Sequence, residues 1–218
     1  MKDKKSNYKI LLPRIPKELE VLQFFNKKIE NEDLFCEGII CDCSIQNKTA
    51  ERIEFKQVLF KNVIFKEVSF QFIDLTDVRF ENCDLSNVDF FGAIIHRVEL
   101  VNCKILGSNF SDATLHNVSF ENCNGRYASF SGSHFKQVKF KSCSLINANF
   151  QENKFEKVRF FNSNLNQAEM AGTKLNGIDL SNCEIEGVKI RVEDLKGVIV
   201  SPVQAVSLSK LLGLVIKE

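Results

Sequence analysis

The sequence contains no run of apolar residues long enough to cross a bilayer, which excludes a membrane-spanning helix. Its first residues, Met1-Lys2-Asp3-Lys4-Lys5, lack the apolar centre of a secretory leader, so the expected location is the cytoplasm. Eight cysteines include no Cys-x-x-Cys pair, which removes the commonest redox and zinc signatures. No nucleophile, histidine and acid are grouped, and there is no glycine-rich phosphate loop. Acids and bases are mixed throughout, giving a formal net charge of +1, where an enzyme on a parallel β-helix would gather carboxylates on one face. These absences argue against an enzyme and against a bound cofactor.

What the chain has instead is a period of five. From Phe35 to Val200 every fifth residue is large and apolar, with the exceptions of Ala50 and Gly125. Neither a helix, with its period of 3.6, nor a simple strand, with its period of 2, produces this register. Taking the register residue as i, position i−2 is also small or apolar, as at Val58, Val63, Val68, Cys83 and Ala93. Residues two apart in an extended segment share a face, so i−2 and i point inward together. The next inward pair falls in phase only if the chain turns at i+1 and i+2. Asn62, Asn82, Gly92, Gly107, Gly132, Gly172 and Gly187 occupy that second corner position.

A second lattice gives the number of sides. Cysteine recurs at 43, 83, 103, 123, 143 and 183, and asparagine at 62, 82, 102, 122, 162 and 182, with gaps of 20 or 40. Twenty residues are four pentapeptides, which makes each turn a square coil. The expected fold is all-β: a right-handed quadrilateral parallel β-helix of about 8.5 coils and roughly 40 Å over residues 33–200, closed by a short C-terminal capping helix. Its core is expected to hold columns of like residues, such as Phe70, Phe90, Phe110, Phe130 and Phe150. Gly125 reads as a local gap filled by neighbours, or as a bulge. The thiols at Cys83, Cys103, Cys123 and Cys143 read as small buried hydrophobes in a reducing compartment, while Cys36 and Cys41 fall at i+1 and are expected at the surface.

Both ends need covers, because an open solenoid invites further stacking. Ser201-Pro202-Val203-Gln204 has a capping serine, proline at the first helical position and glutamine at the third, and Gly213 marks the stop. Residues 201–218 therefore form a capping helix and tail. Leu208, Leu211, Leu212, Leu214 and Ile216 give this end more apolar surface than one small cap needs, which leaves two readings: a monomeric cap packed on the last coil, or a two-fold homodimer joined at its C-terminal ends. Residues 1–32 do not fit the repeat and are expected to cap or flank the first coil. Within them, Tyr8 to Leu12 is strand-like, and Lys17 to Phe25 reads as a short helix after Pro13 and Pro16.

Few side chains stand out as candidate sites. His96 and His116 share a side one coil apart, with His134 on the next coil, but Thr76 and Lys136 occupy the neighbouring slots where a metal site would want a carboxylate. Phe72 and Phe91 fall at outward corner positions on successive coils. Glu54, Asp74 and Asp77 align on one side as a local acidic group. Phe72 and Phe91 read more simply as apolar residues covered by the N-terminal segment or scattered on the surface, with a partner-contact patch as the alternative.

The small–polar–Leu/Phe–x–x pattern, as in Cys83-Asp84-Leu85-Ser86-Asn87, resembles the pentapeptide-repeat family over residues 33–200. The segment Asp194-Leu195-Lys196-Gly197-Val198, followed by Gln204-Ala205 and Leu211-Leu212-Gly213-Leu214, resembles the C-terminal cap of Qnr-type quinolone-resistance proteins. That resemblance implies a rod-shaped dimer joined at its C-terminal ends. It also implies binding to a type II topoisomerase (DNA gyrase or topoisomerase IV), protection from fluoroquinolones, and no direct binding of nucleic acid. Two features depart from the pattern. The unbroken register leaves no inserted loops, as in the loopless members. In addition, residues 33–200 carry 22 acids against 19 bases, far from the ~24 charges that a DNA mimic of this length would present.

Overall fold

The computed structural model describes residues 9–22 and 29–216. They form a parallel β-solenoid closed by one short helix. Nine strands belong to one sheet: β1 (Glu20–Val21), β2 (Leu34–Thr49), β3 (Glu54–Ser69), β4 (Asp74–Glu81), β5 (Ile94–Val101), β6 (Thr114–Glu121), β7 (His134–Lys141), β8 (Lys154–Glu156) and β9 (Arg159–Phe161). From β2 onward the pairing is parallel, and each residue lies against the one 20 positions later. The offset begins at Leu34 with Glu54, and isolated bridges carry it to Asp179 with Ile199. Four pentapeptides per coil, inferred from the cysteine and asparagine lattices, is therefore the observed repeat.

The corners follow the same arithmetic. Every fifth residue from Glu32 to Gly177 has a positive φ, always at i+2. Asparagine tolerates this left-handed conformation better than most residues, which accounts for its lattice. Its side chains add a second link: the Asn122, Asn102 and Asn82 amides each donate to the asparagine one coil below.

The inward positions make a core of stacked columns. Phe110, Phe130 and Phe150 lie at ring separations of 5.2 and 5.0 Å, nearly parallel, and Phe120, Phe140 and Phe160 at 4.6 and 5.1 Å. Phe70 and Phe90 are buried in the first of these columns. Gly125 has an ordinary φ, and Ile105 and Leu145 close over it, so the gap is filled by neighbours. Cys83, Cys103, Cys123 and Cys143 are buried free thiols, each pointing its Sγ at a backbone carbonyl. Cys36 is exposed and Cys41 half-buried.

Helix α1 (Pro202–Ser209) starts as its sequence indicates. The Ser201 hydroxyl accepts from the Gln204 amide, and the Ser201 amide donates to Gln204 Oε1 at 2.7 Å. A 3₁₀ turn over Lys210–Leu212 follows, and Gly213 ends it at φ 73°. Gln204 has a second role that the capping pattern does not reveal. Its buried Nε2 donates to the Leu180 and Cys183 carbonyls at 2.9 and 2.7 Å, satisfying acceptors at the open end of the solenoid. Gln204→Ala should lower the unfolding free energy by about 2 kcal/mol, combining a lost cap with the Cys183 carbonyl left unpaired, as measured by urea denaturation.

The N-terminal segment corrects one expectation. Glu20 and Val21, inside the span read as a helix, form β1 and pair in parallel with Gly38 and Ile39. The rest of that span reaches into residues 23–28, outside the described residues. The reason for a strand here is physical. The first coil presents an unpaired edge, and main-chain pairing covers it. Gly38 also has no side chain at its inward position, and Leu22 fills the vacancy: a Cβ on Gly38 would collide with the Leu22 side chain. The Leu22 amide donates to the Ile39 carbonyl at 2.9 Å.

Candidate functional site

Three regions of the surface depart from the bare rod: the acidic region near the N-terminal end, the phenylalanine corner, and the C-terminal end.

In the acidic region, Glu54 and Asp74 lie on one side of the rod as register partners on adjacent coils. Glu54 is exposed, and Asp74 accepts from the Thr76 hydroxyl. Asp77 does not belong with them as a free surface acid, and that grouping is corrected. It is 6% exposed, held by Arg97 through two bonds of 2.6 Å and by the Arg14 amide at 2.9 Å. Outward corner residues of a solenoid are normally wet. Asp77 is buried because the N-terminal segment lies across it, a long-range contact that has no signature in the five-residue pattern.

Burial pushes the Asp77 carboxyl upward, but the bonds from Arg97 and Arg14 outweigh it and hold the group below its ordinary value. A carboxylate with a depressed folded-state pKa stabilises the fold above its unfolded pKa and loses that contribution as the pH falls through the folded value. We expect about 1–3 kcal/mol of stability from this group at neutral pH, lost below the ordinary carboxylate range. Asp77→Asn should flatten that part of the profile, as read from urea unfolding at a series of pH values.

The histidines are placed as expected but carry little chemistry. His96 and His116 stack at 5.0 Å with rings 3° apart. Burial, with Arg97 and His116 alongside, holds His96 below its ordinary pKa. His134 instead faces Glu156 at 3.3 Å. Among the described residues no group of three His, Cys, Asp or Glu side chains is arranged to hold a metal ion.

At the phenylalanine corner, Phe72 takes φ 57° and is 39% exposed. It meets Phe91 edge-on at 5.7 Å, and the Arg52 guanidinium lies over its ring at 5.6 Å. Gly92 makes this possible, since a Cβ there would stand 2.6 Å from the Phe72 ring. The pair is thus packed locally, with one ring edge left to solvent.

The C-terminal end holds the largest apolar exposure. Leu211, Leu212, Leu214 and Ile216 are exposed. Leu208 is a correction: it is partly buried and packs on the solenoid core, so it secures the cap within one chain. Val203 and Val206 on α1 and Val215 in the tail are also exposed at this end, although the leucine stripe did not single them out. The cap motif itself is structural. Asp194 is buried and accepts from the Gly172 amide at 2.8 Å, while Gly197 takes φ 80° and accepts from Gly177.

A five-residue repeat wound four to a coil, with left-handed corners and no inserted loop from Leu34 to Ile199, defines a β-solenoid of the quadrilateral kind. The description "Pentapeptide repeat region" matches residues 73–150 and 133–206, and the chain belongs to the pentapeptide-repeat family. Among solved structures it is similar to HetL, a pentapeptide repeat protein involved in heterocyst differentiation regulation in the cyanobacterium Nostoc. The two share 16% identity and a TM-score of 0.51 over 80% of this chain and 90% of that one. It is also similar to a trypsin-treated form of QnrB1, a plasmid-mediated fluoroquinolone resistance protein, at 17% identity and a TM-score of 0.44, covering 85% and 99% of the two chains. At these identities the likeness is one of fold. No curated protein sequence matches the chain.

Proposed function

We propose that this protein is a non-enzymatic binding rod that dimerises through its C-terminal ends, engages a type II topoisomerase and relieves its poisoning by fluoroquinolones. The observation carrying the reading is the C-terminal end, where a cap of the Qnr-type pattern presents Leu211, Leu212, Leu214, Val215 and Ile216 to solvent. Glu54 and Asp74 are the acids proposed to face the enzyme. Asp77, enclosed by Arg97 and Arg14, is not part of the proposed contact.

The test is gyrase supercoiling in ciprofloxacin with this protein titrated in. Restored supercoiling at low protein concentration supports the reading. No rescue, with or without direct inhibition at high concentration, sinks it and leaves the cap resemblance as one of architecture alone.

A second reading is a scaffold for a different protein. It is favoured by the near balance of charge along the rod and by the ring edge exposed at Phe72 and Phe91. Recovery of proteins other than gyrase or topoisomerase IV subunits in a pull-down, abolished by Phe72→Ser, would favour it.

A further inference from the structure

Residues 9–14 lie along one corner of the solenoid, and the hydrogen bonds described there are made to their main chain. Gln137 Nε2 donates to the Lys9 carbonyl at 3.3 Å, and the Leu11 amide donates to Asn117 Oδ1 at 3.1 Å. The Arg14 amide donates to Asp77 Oδ1 at 2.9 Å, and its carbonyl accepts from Gln57 Nε2 at 2.9 Å. Gln57, Asp77, Asn117 and Gln137 all sit at i+2 of one corner column, with Arg97 between them orienting Asp77. Asn117 is 2% exposed and the neighbouring outward residue Ser119 is 5% exposed.

The spacing matches an extended chain. Three coil steps separate Gln137 from Asp77, about 14 Å at strand spacing, and the five residue steps from Lys9 to Arg14 span roughly 17 Å when extended. The strap thus runs nearly straight, from the coil of Gln137 back toward the first. Between the main-chain contacts, Ile10 and Leu12 line a shallow groove with Glu99, Ser119 and Lys139. Leu11 and Leu12 remain largely in solvent. Hydrogen-bonding side chains of the rod therefore set the register, with the Ile10 side chain and the Arg14 charge beside Asp77 adding to it.

We propose that this corner column is a peptide-binding groove that reads the main chain of an extended segment of a partner protein, and that residues 9–14 are its resident occupant. The partner segment must offer free amides at the positions of Leu11 and Arg14, and therefore no proline there, with an apolar side chain at the position of Ile10. The groove is separate from the acidic pair and the C-terminal end invoked above. Because the resident segment is tethered, it competes at an effective concentration of millimolar order, and the groove opens to a partner that binds more tightly or arrives with its own tether.

The test uses the full chain and a fluorescein-labelled peptide of the sequence of residues 8–16. Substituting Leu11→Pro and Arg14→Pro deletes the two strap amides while leaving the groove untouched. This variant should bind the peptide saturably, and the unaltered chain at least about tenfold more weakly. N-methylation of the peptide at the Leu11 and Arg14 nitrogens, or Asn117→Ala in the groove, should weaken binding to the variant by about tenfold or more. A variant that keeps its β circular dichroism and melting point yet does not bind, or that binds the N-methylated peptide equally well, overturns the proposal. If the variant does not fold, hydrogen exchange on the unaltered chain decides. The Leu11 and Arg14 amides should be protected and should exchange faster with excess unlabelled peptide. Amides that are unprotected, or indifferent to the peptide, overturn it.

Discussion

Phe140→Ala is expected to lower the unfolding free energy by about 3–5 kcal/mol. Phe140 is fully buried and stacks face to face on Phe120 at 4.6 Å and Phe160 at 5.1 Å, with Phe130 and Phe150 meeting it edge-on at 5.8 and 5.7 Å. Truncation removes the transfer energy of the ring and leaves a cavity whose walls are other rings held by their own coils. The backbone ladder fixes those coils at strand spacing, so the column cannot collapse along the rod axis. For a chain of this size the loss corresponds to a fall in melting temperature of about 6–20 °C. Phe161→Ala, next to Phe160 in the chain and exposed, should change stability by less than about 0.5 kcal/mol. A loss under about 1.5 kcal/mol at Phe140 would mean that adjacent coils slide to refill the column, contrary to the rigid stack described above.

The repeat carries its own explanation in the sequence, because each structural demand recurs at fixed spacing. Phenylalanine at i, small residues at i−2 and asparagine or glycine at i+2 each answer a local requirement of side, core or corner. The serine–proline–glutamine cap is local too, and was legible for the same reason. What the sequence does not show are contacts between positions far apart in the chain. Asp77 reads as a surface acid until residues 9–14 are placed over it. Gly38 reads as a weak inward position until Leu22 is seen to occupy its space. Leu208 and Leu212 both belong to a leucine stripe, yet the turn at the end of α1 sends one toward the core and leaves the other in solvent. The acid pair Glu54 and Asp74 was legible as a register contact, and the main-chain groove was not, since its residues are unremarkable until a strap lies across them.

The contrast between Leu208 and Leu212 sets the second large expectation. Under the proposed end-to-end dimer, Leu212→Asp should yield a monomer of 24.9 kDa in light scattering where the unaltered chain runs at twice that mass. Leu212 is 61% exposed, so a carboxylate there costs one chain little. At a two-fold interface the same substitution places a charge on each side of an apolar contact, where it is desolvated near its own symmetry mate. A change of a few kcal/mol is enough to shift a micromolar dimer fully apart at the protein concentrations of such a measurement. Leu208→Asp should behave differently. It buries a charge against the last coil, loosens α1 and lowers the melting temperature whether or not a dimer forms. If Leu212→Asp leaves the mass at two chains, the dimer contact lies elsewhere. If the unaltered chain is already monomeric, residues 203–216 cover one rod only, and the exposed valines and leucines at this end are free to meet a different protein.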